Sequence, residues 1–131
     1  MSTAYEVAQY LASQSVGTFG GNSLWSIHVA REPSGPDDVI TVYDTGGEEP
    51  DTDEMDLYRP SFQVRTRSVD YLEGFQKQEA IRSLLILPNS LVMGTHRYVS
   101  VNMSSDILPI GSDDNNRYLI TANYRCMKEE L

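Results

Sequence analysis

Two groups of side-chain oxygens in this chain are of the type that hard cations prefer: Asp113-Asp114-Asn115-Asn116, and the run Glu48, Glu49, Asp51, Asp53, Glu54 and Asp56. Neither has the spacing of an EF-hand loop. Asp and Asn tolerate left-handed backbone, so residues 113–116 read as a polar hairpin turn, with a divalent ion bridging subunits as the alternative. Cys126 could act as a nucleophile with His28 or His96 as its base, but neither histidine sits in a recognisable catalytic motif, and a lone thiol in an alternating strand reads as a buried side chain. There is no phosphate-binding loop, dinucleotide fingerprint, paired zinc-ligand motif or nucleophile elbow, and Gly46-Gly47 lies amid acidic residues that repel phosphate. Among 19 acidic residues a pair of carboxylates says nothing by itself about acid–base catalysis. The sequence predicts no cofactor and no enzyme. The enzymatic alternative is a site assembled between subunits from Asp113, His96 and Arg97.

The 131 residues carry a formal charge of -9, which argues against nucleic-acid binding by phosphate neutralisation. Six carboxylates fall between Glu48 and Asp56 without one Lys or Arg. The longest strongly apolar stretch, Leu84 to Leu87, is far short of the roughly 20 residues that cross a bilayer, and no signal-peptide pattern opens the chain. One cysteine allows no intrachain disulfide. The expectation is one domain over 1–131, made in the cytoplasm and without a membrane contact.

The elements that must position these residues follow from periodicity. Ala4, Val7, Ala8 and Leu11 recur at helical spacing over Thr3 to Leu11, with Glu6 and Gln9 off that stripe and Ser2 or Thr3 as the cap. Leu24 to Ala30 alternates as a strand, Val39 to Tyr43 follows as a β-branched one, and Pro33-Ser34-Gly35-Pro36-Asp37 between them predicts a hairpin. Residues 44–60 read as a long acidic loop, either functional or a solvated excursion. Ser61 to Arg67 puts Phe62, Val64 and Thr66 inward and a basic stripe of Gln63, Arg65 and Arg67 outward; the stripe suits an acidic neighbour, or is simply a soluble face. A helix from Asp70 to Leu85 follows, capped by Asp70, with Tyr71, Phe75, Ala80, Ile81, Leu84 and Leu85 on its apolar stripe. Arg97 to Met103, with Val99, Val101 and Met103 on one face, and Arg117 to Met127 close the chain as strands, while Leu91 to Gly94 stays ambiguous. The order αβββαββ predicts an α+β fold: an antiparallel or mixed sheet of four to five strands with two helices packed against it.

Ile40-Thr41-Val42-Tyr43-Asp44-Thr45-Gly46-Gly47, then Tyr58-Arg59-Pro60-Ser61-Phe62-Gln63-Val64-Arg65-Thr66-Arg67, then Ser105-Asp106, Ile110 to Tyr118 and Asn123-Tyr124 resemble, in that order, the phage minor capsid or tail-completion family and the tail terminator proteins of long-tailed phages. The likeness covers about two-thirds of the chain and leaves the segment through Glu32 largely outside it. It implies a virion protein of the tail and head–tail junction. Such a protein forms a ring, commonly a homohexamer, that ends the tail tube and joins it to the head connector or neck protein, and DNA passes through the ring without specific binding. A head-completion or neck protein at the same junction, and an acidic protein-binding module outside phages, are the alternatives. A head-to-tail ring needs two complementary patches. The candidates are the acidic run with Asp113 and Asp114, and the Gln63, Arg65, Arg67 stripe; the acidic run could instead face the lumen and repel DNA.

Overall fold

The structure, a computed structural model, describes residues 2–48 and 57–131. Among them the order is α1 (Thr3–Ser13), β1 (Thr18–Phe19), β2 (Ser26–Val29), β3 (Val39–Gly47), β4 (Leu57–Tyr58), β5 (Pro60–Ser68), α2 (Tyr71–Leu85), β6 (Leu91–Met93), β7 (His96–Met103), β8 (Leu108–Ser112) and β9 (Tyr118–Glu130). This overturns the expected α+β sheet of four to five strands in the order αβββαββ. The protein is strand-rich, with one mixed sheet of nine strands among the described residues, and the path across it runs β1-β2-β3-β5-β9-β7-β6. The additional strands, β1, β4, β6 and β8, have two to five residues each, too few for alternation to mark them in the sequence.

β9 is the spine. On one side it pairs with β5 along 118–125 and with β4 at 128–129; on the other it pairs with β8 along 118–121 and with β7 along 124–130. The anticipated hairpin of the first two long strands is replaced by parallel pairing, with Ser26 opposite Val39 and Val29 opposite Val42. A tight turn forces antiparallel neighbours. The link here, 30–38, is long enough to run back over the sheet, where Arg67 holds it.

One face of the sheet carries both helices. Phe62, Val64 and Thr66 of β5 and Ile120, Ala122 and Tyr124 of β9 point into it and are fully buried, with the Phe62 and Tyr124 rings stacked at 5.0 Å. α1 starts at the Ser2 cap, whose hydroxyl accepts from the Tyr5 amide, and Asp44 of β3 accepts from Ser2 and the Ala4 amide. It lays Ala4, Val7, Ala8 and Leu11 on the core and touches both β1 and β6, so the sheet curls around α1.

Two further corrections have local causes. A bulge between Tyr98 and Ser100 turns Tyr98 inward and leaves Val99 43% exposed, against the expected face of Val99, Val101 and Met103. In α2, capped by Asp70 through the Glu73 amide, the buried residues are Gly74, Gln78, Ile81 and Leu85; Tyr71 and Ala80 are exposed. Gly74 lets the helix descend onto the sheet, since a Cβ there would sit 3.2 Å from Ile120 Cδ1, and Gln78 Nε2 donates to the Val64 and Ile120 carbonyls at 2.9 Å each. Gly74→Val, which overfills this contact, is expected to cost about 1–3 kcal/mol. The check is the urea midpoint; an unchanged midpoint would show that α2 does not lie this close.

Candidate functional site

The densest group of ionisable side chains lies beneath α1. Glu6 is fully buried, although its place off the apolar stripe predicted exposure. Its Oε1 accepts from Tyr98 Oη at 2.8 Å and Lys128 Nζ at 3.1 Å, and its Oε2 accepts from the Thr95 amide at 2.8 Å. His96 Nδ1 is 2.9 Å from Oε2, while its Nε2 is 3.3 Å from Glu130 Oε1. Gly94, at φ +62°, makes the turn that presents the Thr95 amide, and a side chain there would strike the Glu6 carboxylate.

Burial by itself would raise the Glu6 pKa, but the hydrogen bonds from His96, Tyr98, Thr95 and Lys128 together outweigh it and hold the carboxyl below the usual range. Burial, then the Glu6 carboxylate beside it, raises the Tyr98 hydroxyl. The members of this cluster bond one another, so it acts as a lock between α1, the β6–β7 turn and β9.

The other groups considered for chemistry are equally committed. Burial pushes the Cys126 thiol up to about 12, so it stays protonated, with Sγ 3.5 Å from the Pro60 carbonyl oxygen. His28 pairs with Ser26 Oγ at 2.8 Å, and burial with the nearby Arg67 lowers its pKa. Asp113 organises a turn: its Oδ1 accepts from the amides of Asn115 and Arg117, and its Oδ2 accepts from Arg117 Nε at 2.9 Å. Slight burial raises its pKa, but these bonds outweigh that and lower it. Asp114 is exposed beside it. Among the described residues no three His, Cys, Asp or Glu side chains converge as a metal site would require, and no helix is long and apolar enough to cross a membrane.

The predicted basic stripe is partly internal. Gln63 donates to Asn123 at 3.0 Å. Arg65 reaches Glu32 at 3.2 Å and lies over the Tyr43 ring. Arg67 is only 3% exposed and donates to the carbonyls of Pro33 and Pro36 at 2.6 Å each and of Asp37 at 3.2 Å. Burial, and then the neighbouring Arg117, lowers its pKa. Arg117 binds the same link through the Ser34 carbonyl at 2.7 Å. Proline and glycine in 30–38 advertised a turn; nothing in the sequence marked its carbonyls as the partners of Arg67. On the acidic side, β3 runs to Gly47 and β4 covers Leu57–Tyr58, and Glu48 is exposed with its amide donating to Arg59 O at 2.9 Å. Glu49, Asp51, Asp53, Glu54 and Asp56 lie outside the described residues.

The sequence that builds this sheet matches a known family. The family model described as bacteriophage tail terminator protein matches residues 10–130. The chain belongs to the bacteriophage tail terminator proteins. It is thereby a structural component of the phage tail, as the resemblance implied, and the match reaches further towards the N-terminus than that resemblance did. No curated protein matches the chain. Within this tail terminator the donors of the lock, Thr95, His96, Tyr98 and Lys128, lie inside the matched stretch, while Glu6 precedes it.

Removing the common acceptor with Glu6→Ala strips a buried charge network of its centre, and a loss of about 3–5 kcal/mol is expected from chemical denaturation. The folded-state pKa of Glu6 lies below its ordinary value of 4.5, so its contribution is complete above about that pH and is lost as the pH falls through the folded-state value. The decline in stability below pH 4.5 should be shallower in Glu6→Gln than in the unaltered protein. Equal slopes would assign acid sensitivity to other carboxylates.

Proposed function

We propose that the protein forms a ring of identical subunits, a homohexamer, that ends the tail tube of a long-tailed phage and joins it to the head connector, and that it carries out no chemistry. The observation that carries this reading is the tail terminator match over residues 10–130. It is supported by the commitment of Cys126, His28 and His96 to internal contacts. In this reading the chain acts as one domain and resides at the head–tail junction of the virion.

The acidic run from Glu48 to Asp56 is proposed as the surface that either meets the next subunit or lines the passage. Asp113, Asp114 and Gln63 are secondary candidates. Arg65 and Arg67 contribute by holding the 30–38 link, because Glu32 and backbone carbonyls already engage them. On the same sheet face Arg125 is exposed and makes no ion pair among the described residues, and Arg31 on the 30–38 link is exposed too, so both are candidate cations for a neighbour's carboxylate.

Neutralising Glu48, Glu49, Asp51 and Asp53 to the matching amides separates the two placements. Weaker oligomers by light scattering indicate a subunit contact, whereas intact oligomers with reduced phage yield indicate a lumen. Unchanged oligomer size together with unchanged yield would sink both. Electron microscopy of particles made without the protein tests the role itself: tail tubes of uncontrolled length are expected, full heads without tails would assign it to the neck, and a protein that stays monomeric at high concentration would be an acidic binding module instead.

A further inference from the structure

β7 and β8 run one after the other along β9 and form a single row of the sheet. β6 covers the far side of that row only at His96, Arg97 and Tyr98; beyond Tyr98 no strand among the described residues pairs there. An unpaired row presents backbone N–H and C=O groups to any extended chain that can lie beside it. All five residues of β8 are exposed, and its substantial packing is against β9.

The side chains on this row are unusual for an open edge. Val99, Leu108 and Ile110 are 43%, 52% and 47% exposed. The row carries no Lys or Arg after Arg97, the residues that most often guard an edge. Its guards are Pro109 and the bulge between Pro109 and Gly111, which interrupt regular pairing and so favour a segment that fits the break. Acid marks both ends of β8: Asp106, its side chain 87% exposed and 3.6 Å from Arg82, precedes it, and the exposed Asp114 follows it, next to Asp113, which Arg117 holds.

We propose that this edge docks an extended segment of a different polypeptide as an added strand, apolar in its middle and carrying Lys or Arg towards its ends. Charge argues against a second copy. Antiparallel pairing of β8 with itself would bring the exposed Asp106 of one chain towards the exposed Asp114 of the other, and parallel pairing would set Asp106 beside Asp106; both are repulsive. The opposite sheet edge, β1, is two residues long and offers no comparable template. The inference is independent of the proposed ring, whose formation by the purified protein is read separately by light scattering.

The test places a photo-crosslinking phenylalanine analogue at Ile110, an exposed position, in the full chain within cells producing the phage, and measures amide exchange over 108–112 in the isolated protein and in the purified cross-linked or assembled material. The expected result is an adduct with another polypeptide, sequenced to an apolar segment flanked by Lys or Arg, together with at least tenfold slower exchange over 108–112. Leu108→Lys, made in the chain that carries the analogue at Ile110, should abolish both while leaving the oligomer size of the purified protein unchanged. An adduct between two copies of this chain, an adduct to a segment without basic flanks, or no adduct with unchanged exchange would each overturn the proposal.

Discussion

A carboxylate buried among apolar side chains is tolerable only when donors replace its lost water, and Glu6 has them from three directions: the Thr95 amide and His96 at the β6–β7 turn, Tyr98 on β7 and Lys128 on β9. The curl of the sheet depends on this. α1 touches both β1 and β6, and the charge on its buried face engages groups that only the β6–β7–β9 side provides. An apolar residue at this position would fill the space as well, but it would not select one alignment. Tyr98 and Lys128 are directly paired in the β7–β9 register, next to the bulge that turns Tyr98 inward, so the carboxylate rewards that register and no slipped one.

The opposite face of the sheet has its own fastening. The parallel arrangement of β2 and β3 needs the chain to return across the sheet, and a return of nine residues has little secondary structure with which to satisfy its carbonyls. Arg67 and Arg117 supply the donors, and Glu32, Asp37 and Asp113 supply the balancing charge. Two guanidinium groups are thereby withdrawn from the surface. The residues that make the strand look basic in the sequence are fold elements, paired with carboxylates and carbonyls of the same chain.

Much was legible where a single face decides the pattern. The Asp70 cap, the α1 stripe and the inward set Phe62, Val64 and Thr66 are local consequences of period and capping, and they stand in the structure. Short strands such as β4 and β6 owe their form to the neighbour they pair with, which a window of two or three residues cannot express. Val99 faced the wrong way because one extra residue resets the alternation after Tyr98. Glu6 was hidden for a different reason: its donors lie about 90 or more positions away, so no local pattern distinguishes it from a solvated glutamate. The family likeness was legible because it lies in the order of short pieces along β3, β5 and β9, which form the middle of the sheet.

These constraints bear on how an acidic tail protein can work. At about 0.15 M salt the screening length is about 8 Å, so an exposed carboxylate such as Glu48 influences only what comes close to it. Net charge therefore does not steer assembly from a distance; the position of each charge does. With Arg67 and Arg117 turned inward and the Glu6 charge matched inside the core, the polar groups that can meet another molecule include the exposed carboxylates, Arg31, Arg125 and the open backbone of the β7–β8 row. A contact built on the carboxylates alone weakens as salt rises, whereas one built on backbone pairing along β8, with Leu108 and Ile110 against an apolar partner, loses only the share that its charged ends contribute. The two kinds of contact can thus serve different partners on one subunit, with salt acting more strongly on one than on the other.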